Sequence, residues 1–332
     1  MLRYLLNNQI DYPQWDACVA AAEQRLVYAL SWYLDVVSPG WAGLVAEQEG
    51  RYVAVMPLPV KQQFGIRYLQ QPLFCQQLGL FWVSKVVKPA AFLTGVQQHF
   101  PLISKYSFNT GNTNSFHPDE HHSLKVYRHH THHLDLSRSY EAIYQGYSHD
   151  RKLNLKRSRK AGLLITESTD IEPLIQLFKE DAASRIRGGV SAAAYAQLRQ
   201  LYGVLAAKGL ATLLYTQTPV GEIDAGCLFV TYGQKIIYLF NAASVAGRRR
   251  NGRSLMIDHT IQKYAGQPYT FDFESPADIA SIIRVYQGFG AVPAPFYTIT
   301  QNNLPFPVKF LKKARQFIYQ KVMATFAPKP RS

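Results

Sequence analysis

The sequence predicts an α+β protein built from two similar halves, and three observations carry that prediction. The chain has 332 residues, 47% of them hydrophobic. That buries a large core, and at about 150 residues per domain it divides in two. Its 21 tyrosines and 18 phenylalanines favour strands over a helical bundle. One order of short strands, turns and helices occurs twice, displaced by about 170 residues, and such self-similarity is firmer ground than any single match.

In the first half, helices are expected at Pro13–Ala22 and Leu26–Val37. Three antiparallel strands follow at Trp41–Ala46, Tyr52–Val60 and Ile66–Leu69, with turns at Glu49-Gly50 and near Gly65. Each is short, β-branched or aromatic, and bounded by turn formers. A helix at Lys88–Phe100 leads into a strand at Leu102–Phe108. The second half repeats the order. Helices at Glu172–Ala183 and Ala192–Lys208 precede strands at Ala211–Tyr215, Ala225–Tyr232 and Ile236–Phe240. A helix at Ser254–Ala265 then leads into a strand at Tyr269–Phe273. A strand at Leu124–Leu136 joins the halves and carries the chain into a basic helix after Tyr147. The expected divisions are 1–137, 138–301, and a basic C-terminal helix with its tail at 302–332.

No apolar run approaches the ~18 residues that span a membrane. Met1–Trp15 holds only the short apolar patch Tyr4–Leu6, followed by Asn7, Asn8 and Gln9; this reads as neither a signal nor a transit peptide, so the cytoplasm is the expectation. Cys18, Cys75 and Cys227 are odd in number and far apart, which argues for buried thiols over disulfides or a zinc site. The net charge of +14 implies an anionic partner: a nucleotide cofactor, an RNA or a lipid surface.

The informative residues lie in the second half. Tyr238-Leu239-Phe240-Asn241-Ala242-Ala243-Ser244 ends a strand; Arg248-Arg249-Arg250-Asn251-Gly252-Arg253-Ser254 follows, and then a helix. Next come Phe271-Asp272-Phe273-Glu274-Ser275 and Arg284-Val285-Tyr286-Gln287-Gly288-Phe289-Gly290. Together with the upstream helix Arg151–Gly162, this order resembles the Fem-type branch of the GCN5-related (GNAT) acyltransferases, over about 145–300. The resemblance implies two tandem GNAT-like domains, each a mixed, mostly antiparallel sheet flanked by helices. It also implies acyl or aminoacyl transfer to an amine, with acyl-CoA as co-substrate and no permanently bound cofactor, and with the second domain as the catalyst. The first domain would supply part of the substrate cleft. In the same family an aminoacyl-tRNA can be the donor and a cell-wall precursor the acceptor. A chain that kept the fold and lost catalysis would bind an anionic envelope component instead.

Arg249-Arg250-Asn251-Gly252-Arg253-Ser254 is similar to the family's pyrophosphate loop, with Ser254 at a position where Gly or Ala is usual. The physics supports the same reading: a glycine-containing loop at a helix start exposes N–H groups to phosphate, and arginines add charge-assisted bonds. Asn241, Ala242, Ala243, Arg249, Asn251, Gly252, Arg253 and Ser254 are therefore the expected cofactor contacts. The rival reading is a solvated basic turn with Ser254 as a plain N-cap. Tyr286 resembles the family's tyrosine that protonates a leaving thiolate, although Gly288-Phe289-Gly290 begins only two residues later; it also reads as a helix residue packed on the sheet. Asp272 alternates with Phe271 and Phe273, and either Asp272 or Glu274 is a candidate base, with Glu274 preferred. Glu274 also reads as an acid beside a helix start at Ser275-Pro276-Ala277-Asp278.

The helix at Arg151–Lys160 carries six basic residues, and Arg151, Lys152 and Lys156 are expected to bind an anionic substrate, tRNA included. His117–His133 holds seven of the ten histidines, without the cysteine or His-Glu-x-x-His context of a zinc site, so no metal is expected. In the C-terminal helix Phe310, Leu311, Ala314, Phe317, Ile318 and Val322 form one stripe with lysines outside it. That suits packing on the second domain or peripheral contact with an anionic membrane.

Overall fold

Runs with both faces apolar, punctuated by turns, become central strands covered on both sides. The computed structural model describes residues 2–83, 88–115, 124–183, 186, 188–276 and 279–305. The first half runs β1 (Leu2–Leu6), α1 (Tyr12–Ala21), α2 (Ser31–Val37), β2 (Ala42–Gln48), β3 (Arg51–Leu58), β4 (Val60–Gln63), β5 (Ile66–Gln70), β6 (Phe81–Trp82), α3 (Pro89–His99), β7 (Leu102–Ser107) and β8 (Lys125–Asp135). The second runs α4 (Tyr140–Gln145), α5 (His149–Lys160), β9 (Leu164–Glu167), α6 (Glu172–Leu177), α7 (Ala192–Ala207), β10 (Ala211–Gln217), β11 (Ile223–Tyr232), β12 (Lys235–Ala243), α8 (Val245–Arg250), α9 (Gly252–Tyr264), β13 (Thr270–Asp272), α10 (Ala280–Gln287) and β14 (Val292–Asn302). The expected C-terminal helix and His117, His121 and His122 lie outside the described residues.

The strands form a four-stranded sheet, β1-β2-β3-β6, and a ten-stranded sheet, β4-β5-β7-β14-β8-β13-β12-β11-β10-β9. The repeat is visible in the pairings. β1 is antiparallel to β2 as β9 is to β10. β5 is parallel to β7 across α3, as β12 is parallel to β13 across α9. The last strand of each half is exchanged: β8 pairs with β13, and β14 pairs with β7 and with β8. The exchange sews the halves together, so a division near 137 separates strands that share one sheet.

Three local expectations change. The helix expected at 26–37 is broken: Val27–Ala29 is a 3₁₀ turn, Leu30 is extended, and α2 starts at Ser31, whose N–H and hydroxyl both bind Asp16. The strand expected at 52–60 divides at Pro59, which has no N–H for a ladder; β3 pairs with β2 and β6, and β4 with β5. β14 has no counterpart in the sequence reading, and Pro293 and Pro295 are residues that disfavour a strand. It forms because residues 292–296 have a strand partner on the β8 side alone, leaving an edge where proline is tolerated.

Alternation along β11 feeds two cores. Leu228 and Val230 join the cluster shared with the first half, while Cys227 and Phe229 join the cluster under α9, with Met256, Phe271, Phe273 and Phe289. Each fully buried phenylalanine is worth about 1.5–3 kcal/mol, so this second cluster fixes α9 and β13 firmly. Asp272, between Phe271 and Phe273, faces the other way, as its parity requires.

Candidate functional site

The site forms where two parallel strands separate. β12 and β13 stay in register only from Lys235–Ile237 against Thr270–Asp272. β12 then continues along β11 to Ala243 while β13 ends. The edge of β12 beyond Ile237 is left without a strand on that side, and a cleft of about 510 Å³ opens there. Its walls include Tyr238, Leu239 and Asn241 of β12, the start of α9, Glu274, and Tyr286 of α10.

The basic run is not the open loop that the sequence suggests. Arg248, Arg249 and Arg250 are the last turn of α8, where cations suit the helix C-terminus. Asn251 then takes a left-handed conformation (φ 62) and α9 starts at once, at Gly252, with no side-chain cap. The first N–H groups of α9 have no partners within the helix, and Asn251, Arg253 and Ser254 line the cleft. Gly252 does not. A Cβ there would lie 2.4 Å from Thr216 Oγ1 and 3.1 Å from Ala225 Cβ, so the glycine lets α9 press against β10 and β11.

The arginines separate into roles. Arg253 reaches the cleft and donates to Asn241 Oδ1 at 2.8 Å. Arg248, which sequence reasoning did not single out, also lines the cleft and pairs with Asp181. Arg250 pairs with Asp224 at 3.2 Å. Arg249 is exposed and away from the cleft, a correction that follows from the helical turn holding it. Ala242 and Ala243 are buried against Gly226 and Ala225 and do not line the cleft.

Arg151 is the most informative cation. It is buried, lies 5.6 Å over the Phe289 ring and donates to Ser254 Oγ at 2.8 Å. Burial lowers its pKa from the ordinary arginine value. No carboxylate among the described residues lies within ion-pair distance of it, and it lines the cleft. Lys152 and Lys156 do not join it: Lys152 bonds Gln145 O at 3.0 Å and Lys156 is exposed. Successive residues of α5 point in different directions, so only the first reaches the cleft.

Glu274 stands at the mouth in a left-handed conformation (φ 46). Its carboxylate accepts hydrogen bonds from the Tyr28 hydroxyl and the Gln76 backbone, both from the first half. Burial drives its pKa up; the Tyr28 bond opposes this, the nearby charge of Asp272 adds to it, and the result is about 8. The Asp272 pKa is shifted the other way. Burial alone would raise it, but His133 at 3.2 Å, the Thr131 hydroxyl at 2.5 Å and the Glu274 N–H pull it down to about 2. It is a fixed anion that holds the Glu274 turn. Tyr286 lines the cleft, its ring stacked on Phe273 with centroids 4.6 Å apart. Burial raises its pKa, so it stays protonated. It both lines the cleft and packs on the sheet.

Tyr28 had no signal in the sequence, since it meets Glu274 across 246 positions. His132 bonds Ser275 Oγ at 2.9 Å. Among the described residues no group of three or more His, Cys, Asp or Glu is arranged to hold a metal. Nor is any described helix long and apolar enough to cross a membrane. Cys18, Cys75 and Cys227 are free and buried.

No protein-family model matches the chain, and no curated protein matches it. Solved structures do match. FemX superposes with a TM-score of 0.66 at 14% identity, covering 93% of this chain and 99% of that one. A tandem GNAT protein from the clavulanic acid biosynthesis pathway gives 0.55 at 13%, covering 92% and 99%. The C-terminal domain of a protein assigned as a lysylphosphatidylglycerol synthetase, from Agrobacterium fabrum, gives 0.55 at 11%, covering 89% and 93%. The chain has the tandem GNAT-like fold of the Fem type.

Proposed function

We propose that the protein is an acyltransferase that moves an acyl or aminoacyl group from an acyl-CoA, held in the β12–β13 cleft, to an amine. The fold likeness to FemX and to a tandem GNAT protein supports a transferase in general terms. The observation that carries the donor is Arg151, a buried cation without a carboxylate partner among the described residues, facing the same cleft as Arg253 and the start of α9. A buried charge is costly unless it is paired, and phosphate at a helix N-terminus would pair it. In the proposed step the amine nitrogen attacks the thioester carbonyl, the C–N bond forms and the C–S bond breaks. Glu274 accepts the proton that the amine loses, and Tyr286 donates one to the leaving thiolate. Such a donor suits a cytoplasmic protein.

The competing donor is an aminoacyl-tRNA, with transfer to a cell-wall precursor. Titrating both across salt separates them. A single strand loses affinity with a log–log slope near −0.7 per phosphate contacted, so tRNA should bind with a steep slope and acyl-CoA with a shallow one. Arg151→Ala should weaken acyl-CoA by about 1.5–3 kcal/mol, or about tenfold to a hundredfold. Binding of neither donor would leave a non-catalytic binder of an anionic envelope component as the better reading.

A further inference from the structure

Two clefts meet at Glu274. The second, of about 420 Å³, shares Leu239, Glu274 and Pro276 with the first. Its other walls are the segment at 71–76, Lys105 of β7, and the facing pair His129 and Phe296 of β8 and β14. Its volume is within the range of small-molecule sites, about 300–1,000 Å³. We propose that this second cleft receives the acceptor, and that the acceptor is a primary amine on an apolar stem ending in a carboxylate or phosphate, which Lys105 holds. The proposal rests on the acyltransferase reading above.

Three observations support it. Connectivity is the first: a donor in one cleft and an amine in the other reach Glu274 from different sides, so the nitrogen can attack the carbonyl while its proton goes to the carboxylate. The carrier then leaves with the proton from Tyr286, and no other reactant is needed.

Backbone strain is the second. Among the described residues, six other than glycine have left-handed φ. Glu49, Phe64 and Gln234 sit in hairpin turns beside a glycine, and Asn251 joins α8 to α9. The remaining two, Phe74 (φ 56) and Glu274 (φ 46), both line this cleft. Such strain persists where the surroundings impose it, often at ligand sites. Here the Tyr33 hydroxyl donates to Phe74 O, and Asp272 accepts from the Glu274 N–H.

The chemistry of the wall is the third. Leu73, Phe74 and Phe296 are apolar, and Leu73 is 58% exposed. Among the described residues Glu274 is the one acid lining the cleft, and its raised pKa keeps it largely neutral at pH 7. Lys105 is exposed at the wall, and no carboxylate among the described residues pairs with it. An amine at Glu274, a stem along the apolar wall and an anion at Lys105 fit this order of groups.

The test needs no donor. Binding of 6-aminohexanoate, 6-aminohexyl phosphate and hexylamine is measured by saturation-transfer NMR on the full chain and on Lys105→Glu, with acyl-CoA titration and a thermal melt as controls. The anionic probes should bind about tenfold more tightly than hexylamine, and Lys105→Glu should abolish that difference. The acyl-CoA titration and the melt should not change. The stronger of the two anionic probes identifies carboxylate or phosphate as the acceptor's anion. If the anionic probes bind no better than hexylamine, or if Lys105→Glu leaves them unaffected, the proposal is overturned. Loss of the acyl-transfer reading would appear separately, as acyl-CoA that binds neither protein.

Discussion

The two halves hold the same pair of parallel strands beside the same kind of helix, yet only one pair opens. In the second half the chain leaves β12 directly into α8, and the gap between β12 and β13 becomes a cleft. In the first half the chain leaves β5, returns at Leu78 and continues parallel beside β7, closing the gap. The Gln71 N–H binds Lys105 O at 2.9 Å and the Leu78 N–H binds Ser107 O at 2.8 Å. The buried Tyr106 hydroxyl accepts from the Gly79 N–H and donates to Pro57 O. The ends of the two strands make the same point. Phe108-Asn109 follows β7, and Asn109 is buried with its amide donating to Leu78 O at 2.8 Å. Phe273-Glu274 follows β13, and Glu274 faces the cleft. One connection, and not the topology, decides which half opens a cleft. The closed half contributes Tyr28 and Gln76, which hold the carboxylate of the open one.

The comparison is broken most directly at Glu274. Glu274→Gln keeps size and removes the proposed base, so turnover should fall roughly 10²–10⁴-fold with acyl-CoA affinity nearly unchanged. In the native protein kcat/KM should rise with pH through about 8. Stability moves the other way. The folded state holds this proton more tightly than the unfolded chain, whose carboxyl has the ordinary value of 4.5. Folding therefore loses stability as pH rises from about 4.5 to about 8. Glu274→Gln should melt above the native protein at about pH 9 and show less advantage at about pH 5. Intact turnover together with a lower melt at every pH would make Glu274 a structural residue.

Much of the fold was legible because it is written in local patterns. The strands at 211–217 and 223–232 and the helices at 192–207 and 252–264 stand in the sequence as short apolar runs bounded by turns and as longer periodic segments. The exchange of β8 and β14 was not legible, because pairing partners far apart in sequence leave no local mark and two prolines masked β14. At the site, Arg253, Ser254, Asn241, Glu274 and Tyr286 were found from the order of motifs, and all line one cleft. Arg249, Ala242 and Ala243 were misplaced because a motif gives neighbours in sequence, while a helical turn or a strand sends neighbours to opposite sides. Tyr28 and Lys105 were invisible for the reason β14's pairing was: they come from the other half.

A smaller effect is expected at the closed gap. Asn109→Ala removes a buried amide that donates to Leu78 O and contacts Asn112 Oδ1 at 3.2 Å. Leaving a buried carbonyl without a donor costs about 1–3 kcal/mol, and urea unfolding should show a loss of that size. Acyl-CoA affinity should not change, since the closed gap is a structural seam. A second acyl-CoA binding to Asn109→Ala would mean that the seam hides a usable site, and the two halves would differ less than their structures suggest.

The smallest effect is expected at Arg249, and it is the sharpest check on the open half. The sequence places Arg249 in a phosphate-binding loop; the structure places it in the last turn of α8, exposed, with Arg248 and Arg253 directed to the cleft instead. A surface substitution of this kind stays within about 0.5 kcal/mol, so Arg249→Ala should change acyl-CoA affinity by no more than about twofold. Arg253→Ala, measured by the same calorimetry, should lose about tenfold or more, because its guanidinium faces the cleft and would bond an anion there. If Arg249→Ala cost as much as Arg253→Ala, Arg249 would have to reach the ligand. The short helix α8 would then need to unwind when the donor enters, turning residues 248–251 into the loop that the sequence suggests. Hydrogen exchange across α8 with and without acyl-CoA would detect that change directly.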